Sequence, residues 1–362
     1  AKFFFDQDRK KALDSRVLGL AKVVYHNKLG TQGERVTRVQ AIARAIGEQI
    51  GGEALALKAD QAALLAKADL LTDMVGEFPE LQGIMGRYYA QHDGLADDIA
   101  FAIEDHYKPR FAGDELPRND VGVCVALADK LETLVGLFGI GQIPTGDKDP
   151  FALRRHALGI LRILIDKSLP LGLFELINIA FAAFPSGMLG DAHTDAETFV
   201  FDRLSGMMRE QGYSANEVDA VLSMRPVQIR LVPKQLNAVR TFAALPEAPA
   251  LAAANKRVGN ILKKAEGEVG SAADPARCVE AAETALFVAL GEIAPRADAA
   301  FEAGDYTGSL TALAALKTPV DAFFDSVMVN ADDPALKANR LALLNQLHQT
   351  MNRVADLSRL AA

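Results

Sequence analysis

The stretch "ERVTRVQAIARAIGEQI" puts Val36, Val39, Ile42, Ala43 and Ile46 on one face of a 3.6-residue repeat. A half-buried strand needs an alternation of two, and no part of the chain alternates convincingly, so the expected fold is all-α. Gly51 and Gly52 read as the stop after this helix. Asp149 with Pro150 reads as N-cap and first helical residue of "DPFALRRHALGILRILI". Asp333 with Pro334 repeats that signal before a final helix, "ALKANRLALLNQLHQTMNRVADLSRL". Its Leu336, Leu343, Leu344, Leu347, Met351 and Val354 form one stripe.

A chain of 362 residues, half of them hydrophobic, is long enough for two or three domains, each with its own core. Breaks at "GIGQIPTGDKDP", "FPSGMLGDAHTD", "LPEAPA" and "GEVGSAADPA" divide the helical runs, and three parts are expected, 1–165, 166–235 and 236–362. "LPLGLFELINIAFAAFP" is interrupted by Glu175 and Asn178 and closed by Pro185, which suits a buried helix better than a membrane span. No secretory signal opens the chain, so a cytoplasmic location is expected. Cys124 and Cys278 match no metal or redox spacing, and both read as buried free thiols.

A net charge of −8 argues against a general nucleic-acid binder, but the charges are segregated. Residues 224–264 carry a net +7, residues 265–335 a net −10 and residues 336–362 a net +3. Within the first block, "LAAANKRVGNILKK" turns Leu251, Val258, Ile261 and Leu262 towards a core. Lys256, Asn260, Lys263 and Lys264 share the opposite face, with Arg257 beside them. Cations there suit phosphates, and the amide could reach a base edge. A merely solvated face is the competing reading, weakened by the scarcity of nearby acids. Arg154 and Arg155, near a positive helix start, fit a second phosphate contact or an ion pair equally well.

The segment "AALLAKADLLTDMVGEFPELQG" resembles a helix of the HD superfamily of phosphohydrolases in order and spacing. Those enzymes activate water on metal ions held by converging His and Asp side chains. Here the motif is stripped. "RVTRVQAIARAI" has Arg35 and Arg38 where a ligand His belongs, and the His-Asp position falls on Ala66-Lys67 or Ala68-Asp69. Asp69, His106 and Asp129 remain as relic positions, and Lys67 places a positive charge where a cation should sit. No bound metal is expected. Asp69 and Asp129 are instead expected to cap helices or to pair with Lys67 and Lys130. There is no P-loop, no dinucleotide fingerprint and no ligand spacing among the six histidines.

"LAAANKRVGNIL" resembles the start of the anticodon-binding domain of arginyl-type aminoacyl-tRNA synthetases. "FFDSVMVNADDPALKANRLALLNQL", with Asn339-Arg340-Leu341, resembles its closing helices. With "KLGTQGERVTRVQAIA", "KADLLTDMVGEFPELQGIMGRYYA", "EDHYKPRFAGDELP" and "GDKDPFALRRHALGILRIL", the whole chain resembles the bacterial glycyl-tRNA synthetase β subunit, roughly its C-terminal half. The resemblance implies a degenerate HD-like domain over 1–165, a helical connector over 166–235 and an anticodon-binding bundle over 236–362. It implies an α2β2 glycine–tRNA ligase whose α subunit holds ATP, magnesium and glycine, while the β subunit captures tRNA(Gly). No cofactor is then expected on this chain, nor a catalytic residue. Lys256, Arg257, Asn260, Lys263 and Lys264, with Arg340 and Arg353 on the final helix, are the expected grip on the anticodon arm. An HD-type metal-dependent phosphohydrolase and a purely structural helical interaction subunit are the alternatives.

Overall fold

Helix Asp120–Gly139 is apolar apart from Asp120 and the run Asp129, Lys130, Glu132 and Thr133, a composition that is stable only when neighbours enclose it. In the computed structural model, which describes residues 1–362, every residue from Val121 to Phe138 is buried. The chain divides into two compact units, the first comprising residues 1–204 and 227–230 and the second 205–226 and 231–362. The expected middle part, 166–235, is therefore shared between them rather than standing alone.

In chain order the first unit contains α1 (Lys2–Asp8), α2 (Gln32–Leu65), α3 (Asp73–Glu77), α4 (Ile84–His92), α5 (Asp97–Asp105), α6 (Asp120–Gly139), α7 (Leu153–Asp166) and α8 (Leu173–Ala182). Helix α9 (His193–Glu210) runs across the boundary. Two short antiparallel strands, β1 (Val24–His26) and β2 (Gly30–Thr31), are the sole sheet. They deliver Thr31 as the N-cap of α2, where its side chain and that of Glu34 form a reciprocal capping box. Helices α2, α5, α7 and α8 all pack on α6. The predicted face of α2 is its core face: Val36, Val39, Ile42, Ala43 and Ile46 are buried.

Gly52 does break α2, with φ of 75°, but the chain resumes as a helix to Leu65. Gly47 explains the close return: a Cβ there would lie 2.9 Å from the Ala56 Cα. The start of α7 also differs from expectation. It begins at Leu153, after Ala152 in a left-handed conformation, so Pro150 lies outside the helix. Asp149 still caps it, accepting from the Leu153 and Arg154 amides at 2.8 and 3.0 Å. Helix α8 buries Leu173, Leu176, Ile177 and Ala180, and no helix is long and apolar enough to cross a membrane.

The second unit continues with α10 (Ala215–Leu222), α11 (Val232–Ala243), α12 (Ala248–Lys264), α13 (Ala281–Glu302), α14 (Tyr306–Ala312), α15 (Lys317–Ser326) and α16 (Pro334–Met351). It is an all-α bundle in which α16 and α15 pack on both α12 and α13. Asp333 caps α16 as expected, and Leu343, Leu344, Leu347 and Met351 are buried. The predicted final helix is too long. α16 stops at Met351, and the tail returns as a short 3-10 turn, Leu357–Leu360, that packs on α12 and α10. Cys124 is buried, whereas Cys278 is only half-buried, on the turn before α13.

Candidate nucleic-acid interface

The periodicity of α12 decides which side chains reach solvent. Leu251 and Val258 are buried, Ile261 and Leu262 half-buried, and Lys256, Arg257, Asn260, Lys263 and Lys264 exposed. The sequence-predicted ridge is therefore assembled on one helix. None of its four cations has a carboxylate partner, so their charge is not neutralised within the unit. Lys263 and Lys264 lie in the last turn, where the helix dipole favours positive charge. Arg257 lies over the Phe324 ring of α15, 4.2 Å from its centroid, a cation–π contact. The Asn260 amide makes no hydrogen bond of its own.

One flank of the ridge is the wall of a groove of about 540 Å³. Lys256, Asn260 and Lys263 line one side, and His348, Asn352 and Arg359 the other. Its floor is a reciprocal amide pair. Asn255 Nδ2 donates to Asn352 Oδ1 at 2.7 Å, and Asn352 Nδ2 donates back at 2.8 Å. Asn352 Oδ1 also accepts from the Leu357 amide, which pins the returning tail. Burial lowers the His348 pKa, and the Lys263 ammonium adds to this against the pull of Asp356. The imidazole is neutral at pH 7 and offers a flat ring with hydrogen-bonding nitrogens. Arg359 is held by Asp356 and Asp219 at 3.2 and 3.1 Å. Sequence reasoning missed Asn352 and Arg359 because the tail reads as continuing helix, and His348 because nothing local to α16 shows that it faces α12. The Asp356 start of the last turn, whose carboxylate caps Ser358, was the available signal.

Two expected contacts lie elsewhere. Arg340 is a correction: it is buried, with Nε and an Nη donating to Glu283 Oε1 at 2.8 and 2.5 Å and the other Nη to the Met328 carbonyl at 2.7 Å. A guanidinium so enclosed serves the α13–α16 packing and cannot meet a phosphate. Arg353 is part-exposed and already has acidic partners. It pairs with Asp298 at 2.6 Å and with Glu302, and stacks over the Phe301 ring, so helix α13 neutralises it. Arg154 and Arg155 open α7 in the first unit. Arg154 donates to the Gly146 carbonyl at 2.5 Å, and Arg155 is exposed.

Of the relic metal positions in the first unit, Asp129 is held by cations, Asp69 by backbone amides and His106 by the Ile103 carbonyl. No three His, Cys, Asp or Glu side chains are placed to hold a metal ion. Arg35 donates to Asp129 Oδ1 at 2.9 Å and meets Glu132 at 2.8 Å; Arg38 bridges to the other Glu132 oxygen at 3.0 Å. Lys67 lies 3.4 Å from the same Asp129 oxygen and 4.0 Å from the Tyr107 ring centroid. Burial raises the Asp129 pKa, but Arg35 and then Lys67 outweigh it and hold the carboxylate well below its usual range. Asp69 Oδ2 accepts from the Gly83 and Gly86 amides at 2.6 and 3.0 Å, capping α4. Lys130 does not pair with Asp129; it donates to the Lys108 carbonyl at 3.0 Å, and burial takes its pKa down to about 8. Arg35 and Lys67 stand where a metal would be held, so these residues do not fit a divalent ion.

The exposed cations of α12 and the groove they line belong to the second unit, and in the first unit Arg35 and Lys67 hold the Asp129 carboxylate. Residues 1–223 match the family described as glycyl-tRNA synthetase beta subunit, and residues 251–358 match the DALR anticodon binding domain. The chain belongs to the glycyl-tRNA synthetase beta subunit family. It is 83% identical over 362 residues to the glycine–tRNA ligase beta subunit of Thiobacillus denitrificans, covering all of this chain and 52% of that protein. It is 69% identical over 363 residues to that of Dechloromonas aromatica and 68% over 361 to that of Paracidovorax citrulli, covering 51% of each. The chain thus spans about half the length of the curated relatives it matches.

Proposed function

We propose that this chain is the tRNA-capturing portion of a glycine–tRNA ligase β subunit, and that the α12 ridge and its groove take the anticodon arm of tRNA(Gly). The observation that carries the reading is the set of exposed cations without a carboxylate partner, Lys256, Arg257, Lys263 and Lys264, within the segment matched by an anticodon-binding domain. Their ammonium and guanidinium groups contact phosphates and supply salt-sensitive affinity. Asn260 and the groove behind it take an unpaired base, with the His348 ring as a stacking surface. The acidic segment 265–335 repels the backbone and confines it to the basic side. Arg154 and Arg155 form a second, weaker phosphate contact.

In this reading the three functional parts are an HD-like body over 1–165, a connector over 166–235 and the anticodon-binding bundle over 236–362. The partner is an α subunit, in an α2β2 assembly in the cytoplasm. ATP with magnesium binds on that subunit, where glycine is activated and transferred; this chain carries no cofactor. A phosphohydrolase would need a divalent ion at Asp129, which Arg35 and Lys67 oppose electrostatically.

The test is capture of total tRNA on the immobilised chain followed by sequencing of what is retained. Enrichment of glycine tRNAs, lost in the Lys263→Glu/Lys264→Glu variant with helix content unchanged, is the expected result. Indifference to tRNA would favour a structural interaction subunit and overturn the proposal.

A further inference from the structure

On a helix surface, side chains four residues apart lie one above the other. Along α12, Lys256, Asn260 and Lys264 form such a column, and all three are exposed. The column is a crest, and the surface falls away on both sides of it. On one side, past Gly259 and Lys263, lies the groove walled by His348. On the other lies a second hollow of about 320 Å³, lined by Ala253, Arg257 and Ile261. Lys256 and Asn260 line both. Every one of these residues belongs to the second unit.

The two sides are unlike. The groove has the neutral His348 ring in its far wall and the Asn255–Asn352 amide pair beneath it. The hollow has an apolar base, the Ala253 methyl and the half-buried Ile261 side chain, and no carboxylate lines it. Its wall is Arg257, which lies over the half-buried Phe324 ring of α15 at 4.2 Å from the centroid. An exposed guanidinium beside an apolar surface is a place where unpaired RNA bases stack. Asn260 stands between the two sides with an amide that makes no hydrogen bond in the protein, so it can donate to or accept from a base edge. Lys256 and Lys264 flank it one helical turn away on each side, about 6 Å along the axis.

We propose that α12 is a wedge between two consecutive unpaired nucleotides of the bound RNA. One base enters the groove beside His348, the next lies in the hollow against Arg257, and the phosphate that joins them crosses the crest among the lysines. Phe324 touches no RNA; it is a positioning residue that holds Arg257 at the wall of the hollow. The wedge rests on the reading of α12 as an RNA site and adds to it a second receptor, with the requirement that the two bases be neighbours.

The test fills each receptor separately. Gly259→Leu places a side chain in the groove, where a Cβ alone would already lie 3.6 Å from His348 Nε2. Ala253→Leu does the same in the hollow, from an exposed position. Neither removes a charge, so both keep the salt dependence of the parent. The probe is the synthetic anticodon stem-loop of tRNA(Gly), intact or with one loop nucleotide made abasic, read by fluorescence anisotropy on the purified chain. With the parent, two adjacent abasic positions each weaken binding by about 5-fold or more, the low end for one stacked base. Gly259→Leu erases the penalty at one of them and Ala253→Leu at its neighbour. His348→Ala and Arg257→Gln, which remove the walls, repeat that split, and Phe324→Leu lowers the penalty at the Ala253 position alone. A single sensitive position, two that are not adjacent, or penalties that survive both filling variants would overturn the wedge while leaving α12 an RNA site. A parent that does not bind the intact stem-loop at low salt would overturn the reading beneath it as well.

Discussion

Replacing Lys256 and Lys263 by alanine removes the two ammonium groups that line the groove beside α12. Both are exposed and neither is held by a carboxylate, so no ion pair or core contact is lost with them. The expected effect on RNA binding follows from counterion release. Each phosphate contact to a single strand contributes about 0.7 to the slope of log affinity against log salt, so the slope falls by about 1.4. At about 0.15 M salt the same relation makes the loss roughly 15-fold in affinity. Fluorescence anisotropy of labelled tRNA(Gly), titrated at several salt concentrations, reads both numbers. Circular dichroism checks that the helices persist. An affinity loss with an unchanged slope would refute the assignment of these lysines to phosphates, as would no loss at all.

Arg340→Ala leaves Glu283 buried and unpaired and is expected to cost about 3–5 kcal/mol in urea unfolding, while the folded fraction keeps its RNA affinity. Affinity lost without stability would return Arg340 to the interface. Asn255→Ala breaks the amide pair under the groove and is expected to cost roughly 1–3 kcal/mol, with faster hydrogen exchange at Leu357 as the specific sign. The pH prediction concerns His156, whose pKa burial takes from 6.5 down to about 4. Between those values the unfolded chain binds the extra proton, so stability falls as pH drops from 6.5 towards 4. His156→Gln should flatten the stability–pH curve in that window, and an unaltered curve would contradict the burial argument.

What could be read from the sequence was what local periodicity controls. The exposed face of α12 and the buried face of α2 follow from spacing within one helix, and both were legible. Arg340 was not. It interrupts an apolar stripe, and whether such a charge faces water or a partner depends on Glu283, 57 residues away. The partners of Arg353 were hidden for the same reason, since Asp298 and Glu302 lie on a helix that spacing alone cannot position. The relic positions show both outcomes. A positive Lys67 beside the old site was visible from sequence, but its hold on Asp129, shared with Arg35, comes from folding α2 against α6. The groove behind α12 was hidden because the tail beyond Met351 turns back rather than continuing as helix. Asn352 is satisfied by Asn255, 97 residues earlier, and no local pattern announces that pair.

The most direct measurement is to place a photo-crosslinking amino acid at position 260, between the lysines of the ridge, and to map the nucleotides of bound tRNA(Gly) that it captures. Crosslinks concentrated in the anticodon loop, and weakened by added salt, are the predicted result. Crosslinks to the acceptor stem, or none while the tRNA stays bound, would contradict the claim that α12 holds the anticodon arm.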